Sequence, residues 1–445
     1  MLKAGRAAQQ RQLAVQVAEA GIEYYRWHLA HAPLDFQDGT GTAGPYVHEY
    51  KDASGEVIGH FALDITPPPV GSTVVTITST GRLESTASVE EVIEVRMGKP
   101  SLAKYSVVAN DEMNFGPGTE VFGSIHSNSG IRFDGLVHNV VTSAQVEYND
   151  PDHSGSNEHG VHTHVFPTDP LPPATLPART DVFEAGRYVG VPAIDFAGLS
   201  ANLAQMKSDA QLDGRYFAAS GALGYRIVFQ TNDTFDLYVV NSVIPVPNGC
   251  TSVLGQHDWG TWSVNTQSFL QNYDLPHNGI LFVEDNVWVE GQIDTARVTV
   301  AAARFPDNPA KRMHITVNED LLYTNYDGQD VIALVAQGNF NVGMISSNTL
   351  RIDAALIAQN GRIGRYYYRP PTNGQNRCSP YHLRQMITLY GMIGTNERYG
   401  FAYSDGTGYQ IRNIIYDGNL LYGPPPSFPL AADQYQTITW KRKRN

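Results

Sequence analysis

Charged residues are scarce in this sequence, because only 17% of its 445 residues are Asp, Glu, Lys or Arg. The 44 acidic residues outnumber the 31 basic ones, which gives a formal net charge of −13. Binding of nucleic-acid phosphates needs clustered Lys and Arg, so we expect no nucleic-acid partner. Low charge combined with 41 Gly and 24 Tyr is typical of extracellular β-rich proteins.

Cysteine is almost absent as well. The sequence has only Cys250 and Cys378, and it contains no Cys-x-x-Cys pair. A zinc ribbon and a thioredoxin-type redox site are therefore excluded. One disulfide in an oxidising compartment and two unrelated free thiols are both compatible with this pair.

Long hydrophobic runs and the common catalytic motifs are also missing. No stretch reaches 18 apolar residues, so the sequence contains no candidate transmembrane helix. The first twelve residues are basic and polar, and no apolar region follows them, so we expect no signal peptide. There is no Gly-x-Gly-x-x-Gly, Walker loop, Gly-x-Ser-x-Gly or His-Glu-x-x-His. We therefore expect a non-enzymatic protein without a cofactor.

One strong helical pattern is present, over residues 4–30. Its apolar positions recur at i, i+3, i+4 and i+7, and they are Ala14, Val17, Ala18, Gly21, Ile22, Tyr25 and Leu29. Residues 46–100 then alternate between apolar and polar, which predicts a small antiparallel sheet. The helix stripe, together with Leu13, should pack on this sheet and form an α+β head.

Short β-branched runs bounded by turn residues dominate residues 277–403. Residues 331–336 are apolar at six consecutive positions, which favours a strand that is covered on both faces, as in parallel sheets. We predict a right-handed parallel β-helix in which residues 298–300, 331–335 and 354–357 pair through parallel ladders. An antiparallel β-sandwich is the alternative fold.

The chain is accordingly divided into five regions. They are a helix-plus-sheet head (1–100), the first rungs of the β-helix (101–145), an inserted loop and α+β region (146–275), the β-helix body (276–420) and a C-terminal tail (421–445). Within the insertion we predict a helix over 196–210 and a hairpin over 225–240. The basic residues 441–444 are interpreted as a solvated terminus, with contact to an anionic polymer as the alternative.

The segment Gln16-Val17-Ala18-Glu19-Ala20-Gly21-Ile22-Glu23-Tyr24-Tyr25 resembles the Ala-Glu-Ala-Gly helix of minor-pilin-like type IV pilus-assembly proteins. Further matching pieces are residues 123–130 and the Pro-rich ending near Pro424. The resemblance implies a bacterial cell-surface or extracellular protein that builds a pilus-like filament and has an adhesive role. It implies pilin-like partner subunits bound through the N-terminal helix, surface glycans as further partners, and a membrane anchor that precedes this chain. A β-helical carbohydrate-active enzyme or glycan-binding protein is the alternative function.

Four histidines lie within twelve residues and are the candidate metal ligands: His153, His159, His162 and His164. Asp150, Asp152 and Glu158 lie beside them, and imidazole with carboxylate can hold a transition metal. In an extended strand, His162 and His164 point to the same side. A calcium loop over 150–164 is an alternative ligand set, and a solvated polar loop is the structural interpretation.

Candidate carboxylate pairs for glycoside cleavage are Glu284/Asp285, Glu319/Asp320 and Asp327/Asp330. Adjacent carboxylates in a strand point to opposite faces, so the first two pairs are poor candidates. Residues 327–330 have a turn composition, and we interpret these carboxylates as solvated turn residues. The Tyr-rich segment 366–368, with Tyr390, Tyr399, Tyr403 and Tyr409, either stacks on sugars or caps the body.

Overall fold

The computed structural model describes residues 2–69, 71–196, 201–252 and 255–443. They form two compact units: a head of Met1–Leu102, Leu421–Pro424 and Leu430–Asn445, and a body of Ala103–Leu420 and Pro425–Pro429. In the described part of the chain, no helix is both long and apolar enough to cross a membrane. Leu199 of the predicted 196–210 helix and Arg444 of the basic segment lie outside the described residues.

The head consists of one long helix and an antiparallel sheet. In chain order its first elements are α1 (Leu2–His31), β1 (Tyr46–Lys51), β2 (Val57–Thr66), β3 (Val75–Leu83) and β4 (Thr86–Gly98). Each strand pairs antiparallel with the next, in the order β1-β2-β3-β4. Along β3, burial alternates from one residue to the next, so that one face of the sheet receives the helix.

The predicted packing of the helix on the sheet is confirmed, with one correction. Val17, Ile22, Tyr25 and Leu29 are buried against the strands, as the stripe predicts. Leu13 is 38% exposed, because it lies just beyond the edge of the buried stripe, which starts at Ala14 in the described chain.

Helix α1 approaches β3 so closely that a side chain would not fit at the crossing point. A Cβ atom added at Gly81 would lie 2.3 Å from the backbone oxygen of Ala14. On the helix side, a Cβ atom at Gly21 would lie 2.4 Å from Ser79 Oγ. Two glycines therefore set the distance between the helix and the sheet.

The body consists of many short strands. Its first strands are β5 (Val107–Ala109), β6 (Met113–Phe115), β7 (Thr119–Phe122), β8 (Ile125–Ser127), β9 (Ile131–Phe133), β10 (Leu136–Val137), β11 (Val141–Ser143), β12 (Glu147–Tyr148), β13 (Glu158–His159), β14 (Val161–His162) and β15 (Arg187–Val189). Helix α2 (Ala201–Asp213) follows, with β16 (Arg215–Phe217), β17 (Gly224–Gln230), β18 (Thr234–Val243) and β19 (Val264–Asp274).

The remaining body strands fill the region predicted to hold the core. They are β20 (Ile280–Val283), β21 (Val287–Ile293), β22 (Arg297–Ala302), β23 (Ile315–Thr316), β24 (Leu321–Tyr323), β25 (Val331–Ala336), β26 (Phe340–Val342), β27 (Thr349–Ala358), β28 (Ile363–Arg365), β29 (Leu383–Thr395) and β30 (Gly408–Tyr416). The last strand, β31 (Gln436–Lys443), belongs to the head.

Parallel ladders connect these strands, as predicted for 298–300, 331–335 and 354–357. The first ladder runs β16–β20–β22–β25–β27–β29–β5–β8–β11–β15. A second runs β17–β21–β23–β26–β28, and a third joins β17, β21, β24, β27, β29, β30, β7 and β10. The alternative fold, an antiparallel sandwich, is therefore wrong for this region.

A column of aliphatic side chains runs along the first ladder. Successive register partners are Leu281, Val300, Leu334, Leu356, Ile393, Val107, Ile125 and Val141. All of them lie in one hydrophobic core. The same register places Arg215 at one end of the column and Arg187 at the other. A polar residue therefore occupies the register position at each end of the column.

The stacking order of the strands differs from their order in the chain. Strands β5 and β7, predicted as the first rungs, stack on β29 and β30 instead of starting the stack. Residues 146–275, predicted as an insertion, also supply β15, β16 and β17 to the ladders. Sequence patterns identify strands but do not specify which strands are neighbours, because each short run can pair with several others.

Two elements within 146–275 agree with their sequence patterns. Helix α2 contains residues 201–210 of the predicted 196–210 helix, and its Leu203 and Met206 are buried, whereas Phe196 lies outside the helix. Strands β17 and β18 pair antiparallel as the predicted hairpin. Asp233 at its turn has a φ of 59°, a left-handed conformation that Asp tolerates better than most residues.

Residues 441–443 of the basic segment lie on an ordered strand, so they are not a frayed end, but their side chains are exposed to solvent as predicted. Strand β31 pairs antiparallel with β4. Lys441 and Lys443 lie 2.6 and 2.5 Å from the carboxylate oxygens of Glu94, and Arg442 contacts Glu91. The basic residues 441–443 thus form ion pairs with acidic residues of β4.

Cys250 and Cys378 form a disulfide, which decides between the two alternatives that the sequence left open. The bridge lies in a small buried cluster with Met344, Tyr366 and Tyr368. Most of the Tyr-rich segment is therefore buried, which favours the capping interpretation over a sugar-stacking surface.

Candidate metal centre

The polar segment after β12 folds back onto β9 through a short parallel strand. Strand β14 pairs with β9 in the register Val161 to Ile131, which also places Met113 of β6 in line. This places the histidines over a buried layer, because Val161 and Ile131 are fully buried. The solvated-loop interpretation is therefore wrong for these residues: Asp150, Glu158 and His162 are all buried.

Two overlapping groups of potential ligands result, and His164 belongs to both. One group is Asp150, His162 and His164, and the other is His153, Glu158 and His164. Within each group, one ligand atom per residue lies within 4.8 Å of the others. His159 is buried but belongs to neither group, because it lies on β13, where it pairs with Glu147 of β12.

The first group is the more enclosed. His162 Nε2 lies 3.5 Å from Asp150 Oδ2, and the imidazole rings of His162 and His164 are 5.0 Å apart. The two rings thus lie close together, although β14 ends at His162 and His164 lies beyond the strand. Among the described residues, neither ring nitrogen of His162 has a hydrogen-bond partner, and the same is true of Asp150 Oδ2.

The second group lies nearer to solvent. Glu158 Oε1 is 3.1 Å from His153 Nδ1 and 3.4 Å from His164 Nε2. Glu158 is buried, whereas the side chain of His153 is 45% exposed. Glu158 therefore contacts two imidazoles at once and can orient the ring of His164.

The backbone of the first group is held by neighbouring carboxylates. Asp134 accepts a hydrogen bond from the backbone N–H of His164 at 2.7 Å. Asp169 accepts one from the N–H of Thr163 at 2.9 Å, and it also pairs with the buried Arg187. The two histidines are thus fixed before any ligand binds.

The electrostatic surroundings favour the ligand forms of Asp150 and His164. Burial alone would raise the pKa of Asp150, but His162, the Asp152 N–H and Arg132 outweigh it and lower that pKa to about 2. Burial lowers the pKa of His164, and the nearby charges of Arg132 and His162 add to the effect. The carboxylate is therefore ionised and the His164 imidazole neutral near neutral pH.

Asp152, one of the four residues of the alternative calcium loop (Asp150, Asp152, Ser154 and Ser156), is engaged with other side chains. The carboxylate of Asp152 accepts a hydrogen bond from Asn114 at 3.2 Å and pairs with Arg398. In the described chain, Asp152 belongs to neither group of potential metal ligands. The ligands that do converge include imidazoles, which calcium binds poorly.

The predicted carboxylate pairs are occupied by structural hydrogen bonds. Asp285 accepts from the N–H and hydroxyl of Ser220 at 2.8 and 2.7 Å. Glu319 accepts from Ser347 at 2.5 Å and Asp320 from the Arg351 N–H at 2.8 Å.

Two of these carboxylates also depart from the predicted solvated turns. Glu284, half-buried, accepts from the Tyr216 hydroxyl at 2.8 Å and pairs with Lys207. Asp330 is buried and accepts three backbone N–H groups, whereas Asp327 is an exposed turn residue. The interpretation as a solvated turn is therefore wrong for Asp330.

A different carboxylate lies among aromatic rings on the third ladder. Asp353 accepts hydrogen bonds from the Tyr326 hydroxyl at 2.6 Å and from Arg351 Nε at 2.8 Å. The rings of Tyr326 and Tyr390 are 5.1 Å apart, edge to face, and the Arg351 guanidinium lies 5.2 Å from the Tyr326 centroid. We call Tyr326, Arg351, Asp353 and Tyr390 the tyrosine cluster.

Burial raises the pKa of Asp353 and of Asp417, which accepts from the Tyr390 hydroxyl. Neither residue was among the candidates predicted from the sequence. A single carboxylate inside the otherwise apolar run 352–358 is the signal that identifies Asp353.

Comparisons with known proteins add little to this description. No family model matches the chain, and no curated protein sequence matches it. Among solved structures, the competence-associated pilin ComZ from Thermus thermophilus is similar, with 11% identity and a TM-score of 0.32 over 98% of each chain. A TM-score of this size does not establish a common fold.

Proposed function

We propose that this chain is a structural, non-enzymatic component of a type IV pilus-like filament, or of its assembly, on the bacterial cell surface. The observation that carries the proposal is the division of helix α1. Its second half is buried on the antiparallel sheet, whereas residues 5–13 are exposed except for the half-buried Gln10. The exposed half is the surface offered to neighbouring subunits, and the Cys250–Cys378 disulfide fits an oxidising extracellular location.

We also propose that the body is a right-handed parallel β-helix. Strands β21, β27 and β29 each take part in more than one ladder, which supports a coil in which the chain passes from face to face. An experimental structure would test the handedness. A left-handed coil or an open sheet would contradict this part of the proposal.

The filament proposal is tested in the bacterium that carries the gene. We expect the chain in the filament fraction sheared from cells, and we expect Leu13→Asp on the exposed half of α1 to reduce its amount there. Glu19→Lys is the matched control, because Glu19 is exposed on the half of the helix that packs on the sheet. A chain absent from sheared filaments, with normal filament yield after gene deletion, would contradict the proposal.

Glycan binding at the tyrosine cluster is a second candidate function. Tyr326 is 44% exposed and presents an aromatic ring beside the guanidinium of Arg351. Sugars stack on such rings and hydrogen-bond to such cations. We expect Tyr326→Ala to weaken retention by polysaccharides in affinity electrophoresis, and Tyr188→Ala, at a 59% exposed ring elsewhere, to leave it unchanged. Polysaccharide turnover that is lost in Asp353→Asn would instead favour the enzyme.

A further inference from the structure

We propose that Asp150, His162 and His164 form a binding site for one divalent transition-metal ion of the zinc class. The three side chains come from two segments, the loop after β12 and the end of β14. A bound ion would therefore fasten the loop to the buried layer of β9 and β14. This inference does not depend on the filament proposal.

The unpartnered atoms of His162 are the main argument for the site. This imidazole is fully buried, and its Nε2 has a 3.5 Å contact with Asp150 Oδ2. At that distance and geometry, neither of its nitrogens donates or accepts a hydrogen bond among the described residues. Buried polar groups in folded proteins are nearly always satisfied, and the unsatisfied ones call for a specific explanation. A metal ion supplies the missing partner for one nitrogen of His162 and for Asp150 Oδ2 together.

The spacing of two of the three ligand atoms fits an ion between them. Zinc bonds to imidazole nitrogen and carboxylate oxygen are ~2.0–2.2 Å long, so tetrahedral ligands lie roughly 3.3–3.6 Å apart. His162 Nε2 and Asp150 Oδ2 are 3.5 Å apart. Asp150 Oδ1 accepts a hydrogen bond from the Asp152 N–H, which leaves Oδ2 directed at the site.

The ligand chemistry determines the class of ion. Two imidazoles with one carboxylate suit zinc, cobalt or nickel, whereas calcium and magnesium prefer sites of oxygen alone. Three protein ligands also leave a fourth position for water. Arg132 Nη1 lies 3.9 Å from Asp150 Oδ2, so the ion must compete with one nearby cation.

The second ligand group acts as a supporting layer in this assignment. Glu158 contacts His164 and fixes its ring, as carboxylates beside metal-bound histidines do. His153 contacts Glu158 from the solvent side. His153 is therefore not a ligand. Substitution of His153 then distinguishes metal binding by the first group from metal binding by the second.

The test is a titration of the full chain, freed of metal by a chelator, with Co²⁺ and Zn²⁺. We expect one ion per chain by calorimetry, a visible absorption band of four- or five-coordinate cobalt, and a rise in melting temperature that Ca²⁺ does not reproduce. His162→Asn and His164→Asn should each weaken binding by ~100-fold or more. Circular dichroism checks that each variant is folded.

Two control variants separate binding at this site from binding elsewhere on the chain. His153→Asn should change the affinity by only a few fold, and His138→Asn should leave it unchanged, because His138 lies between Glu120 and Glu184 on another surface. Absence of saturable binding by the unaltered chain would overturn the proposal. So would binding that depends on His153 but not on His162 or His164, or binding that His138→Asn weakens equally.

Discussion

Strand β3 of the head and strand β25 of the body bury their apolar side chains in different ways. In β3 every second residue is buried, whereas in β25 all six are. In β25, Ile332, Leu334 and Ala336 belong to the interior core, and the alternate residues are buried on the opposite face. A strand covered on one side tolerates polar substitution at half of its positions, and one covered on both sides tolerates none.

The largest expected effect is that of Leu334→Asp in the aliphatic column of the body. Its side chain lies between the register partners Val300 and Leu356. A carboxylate there has no partner in a dry core, so we expect a loss of about 5 kcal/mol in the free energy of unfolding.

Thr76→Asp on the half-buried face of β3 is the matched variant in the head, because Thr76 lies opposite Arg96. We expect it to cost less than about 1 kcal/mol. Urea denaturation of both variants measures the difference, and equal losses would contradict the contrast between the two strands.

The disulfide should give the next largest effect, and only in the body. The bridge spans 128 residues of sequence, and closing a loop of that length is worth up to roughly 5 kcal/mol in the chain-entropy model. We expect the double variant Cys250→Ser, Cys378→Ser to lower the unfolding midpoint of the body and to leave that of the head unchanged. Hydrogen exchange resolved by region measures this, and uniform loss of protection would contradict it.

A smaller effect is expected at the closest approach in the head. Gly81→Ala places a Cβ atom against the backbone of Ala14, so the helix must move from the sheet at a cost of about 2 kcal/mol. Gly5→Ala is the control: nothing lies within 4 Å of its added Cβ, and alanine should stabilise the helix by about 0.5–1 kcal/mol. Thermal melts compare the two, and destabilisation by both would indicate a different cause.

The smallest expected effects on stability come from one carboxylate in each of the two units. Hydrogen bonding with Asp111, then burial and the Asp111 charge, raise the pKa of Glu112 in the body to about 7. In the head, hydrogen bonds from Lys441 and Lys443 lower the pKa of Glu94. Stability from Glu112 is therefore complete below its ordinary pKa and is lost as the pH rises through about 7. Stability from Glu94 is present above its ordinary pKa and is lost as the pH falls.

We expect Glu112→Gln to stabilise the protein at about pH 8 by roughly 1 kcal/mol and to have no effect at about pH 4. Glu94→Gln should instead destabilise it near neutral pH. Melting temperatures across this range test both signs. A pH-independent difference between Glu112→Gln and the unaltered protein would show that the Glu112 side chain acts through packing instead of charge.

Local features of both units were predictable from the sequence, and long-range ones were not. The period of α1, the alternation of β3 and the unbroken apolar run of β25 are local patterns, and all three predicted the observed element. The stacking of β5 on β29 and the pairing of β31 with β4 depend on partners hundreds of residues away. No local periodicity encodes that choice of partner.

The candidate metal centre shows the same limit. The spacing of His162 and His164 predicted that their rings lie on one side of a strand. The exclusion of His159 and the burial of Asp150 depend on the pairing of β12 with β13 and of β14 with β9. Asp353 stands out as the single carboxylate of the apolar run 352–358, but its contact with the Tyr326 hydroxyl, 27 residues away, is not encoded locally.

The placement of β5 beside β29 has a consequence for synthesis on the ribosome. Strands β5, β7 and β8 leave the ribosome early. The strand edges that later pair with β29 and β30 stay exposed until most of the body has been made. Exposed strand edges of this kind are templates for association with other chains. Contacts between such distant segments also slow folding, because a large loop must close first. We therefore expect nascent chains that are released before β29 is synthesised to aggregate. In the full chain, the strands that are synthesised last pair with the strands that are synthesised first.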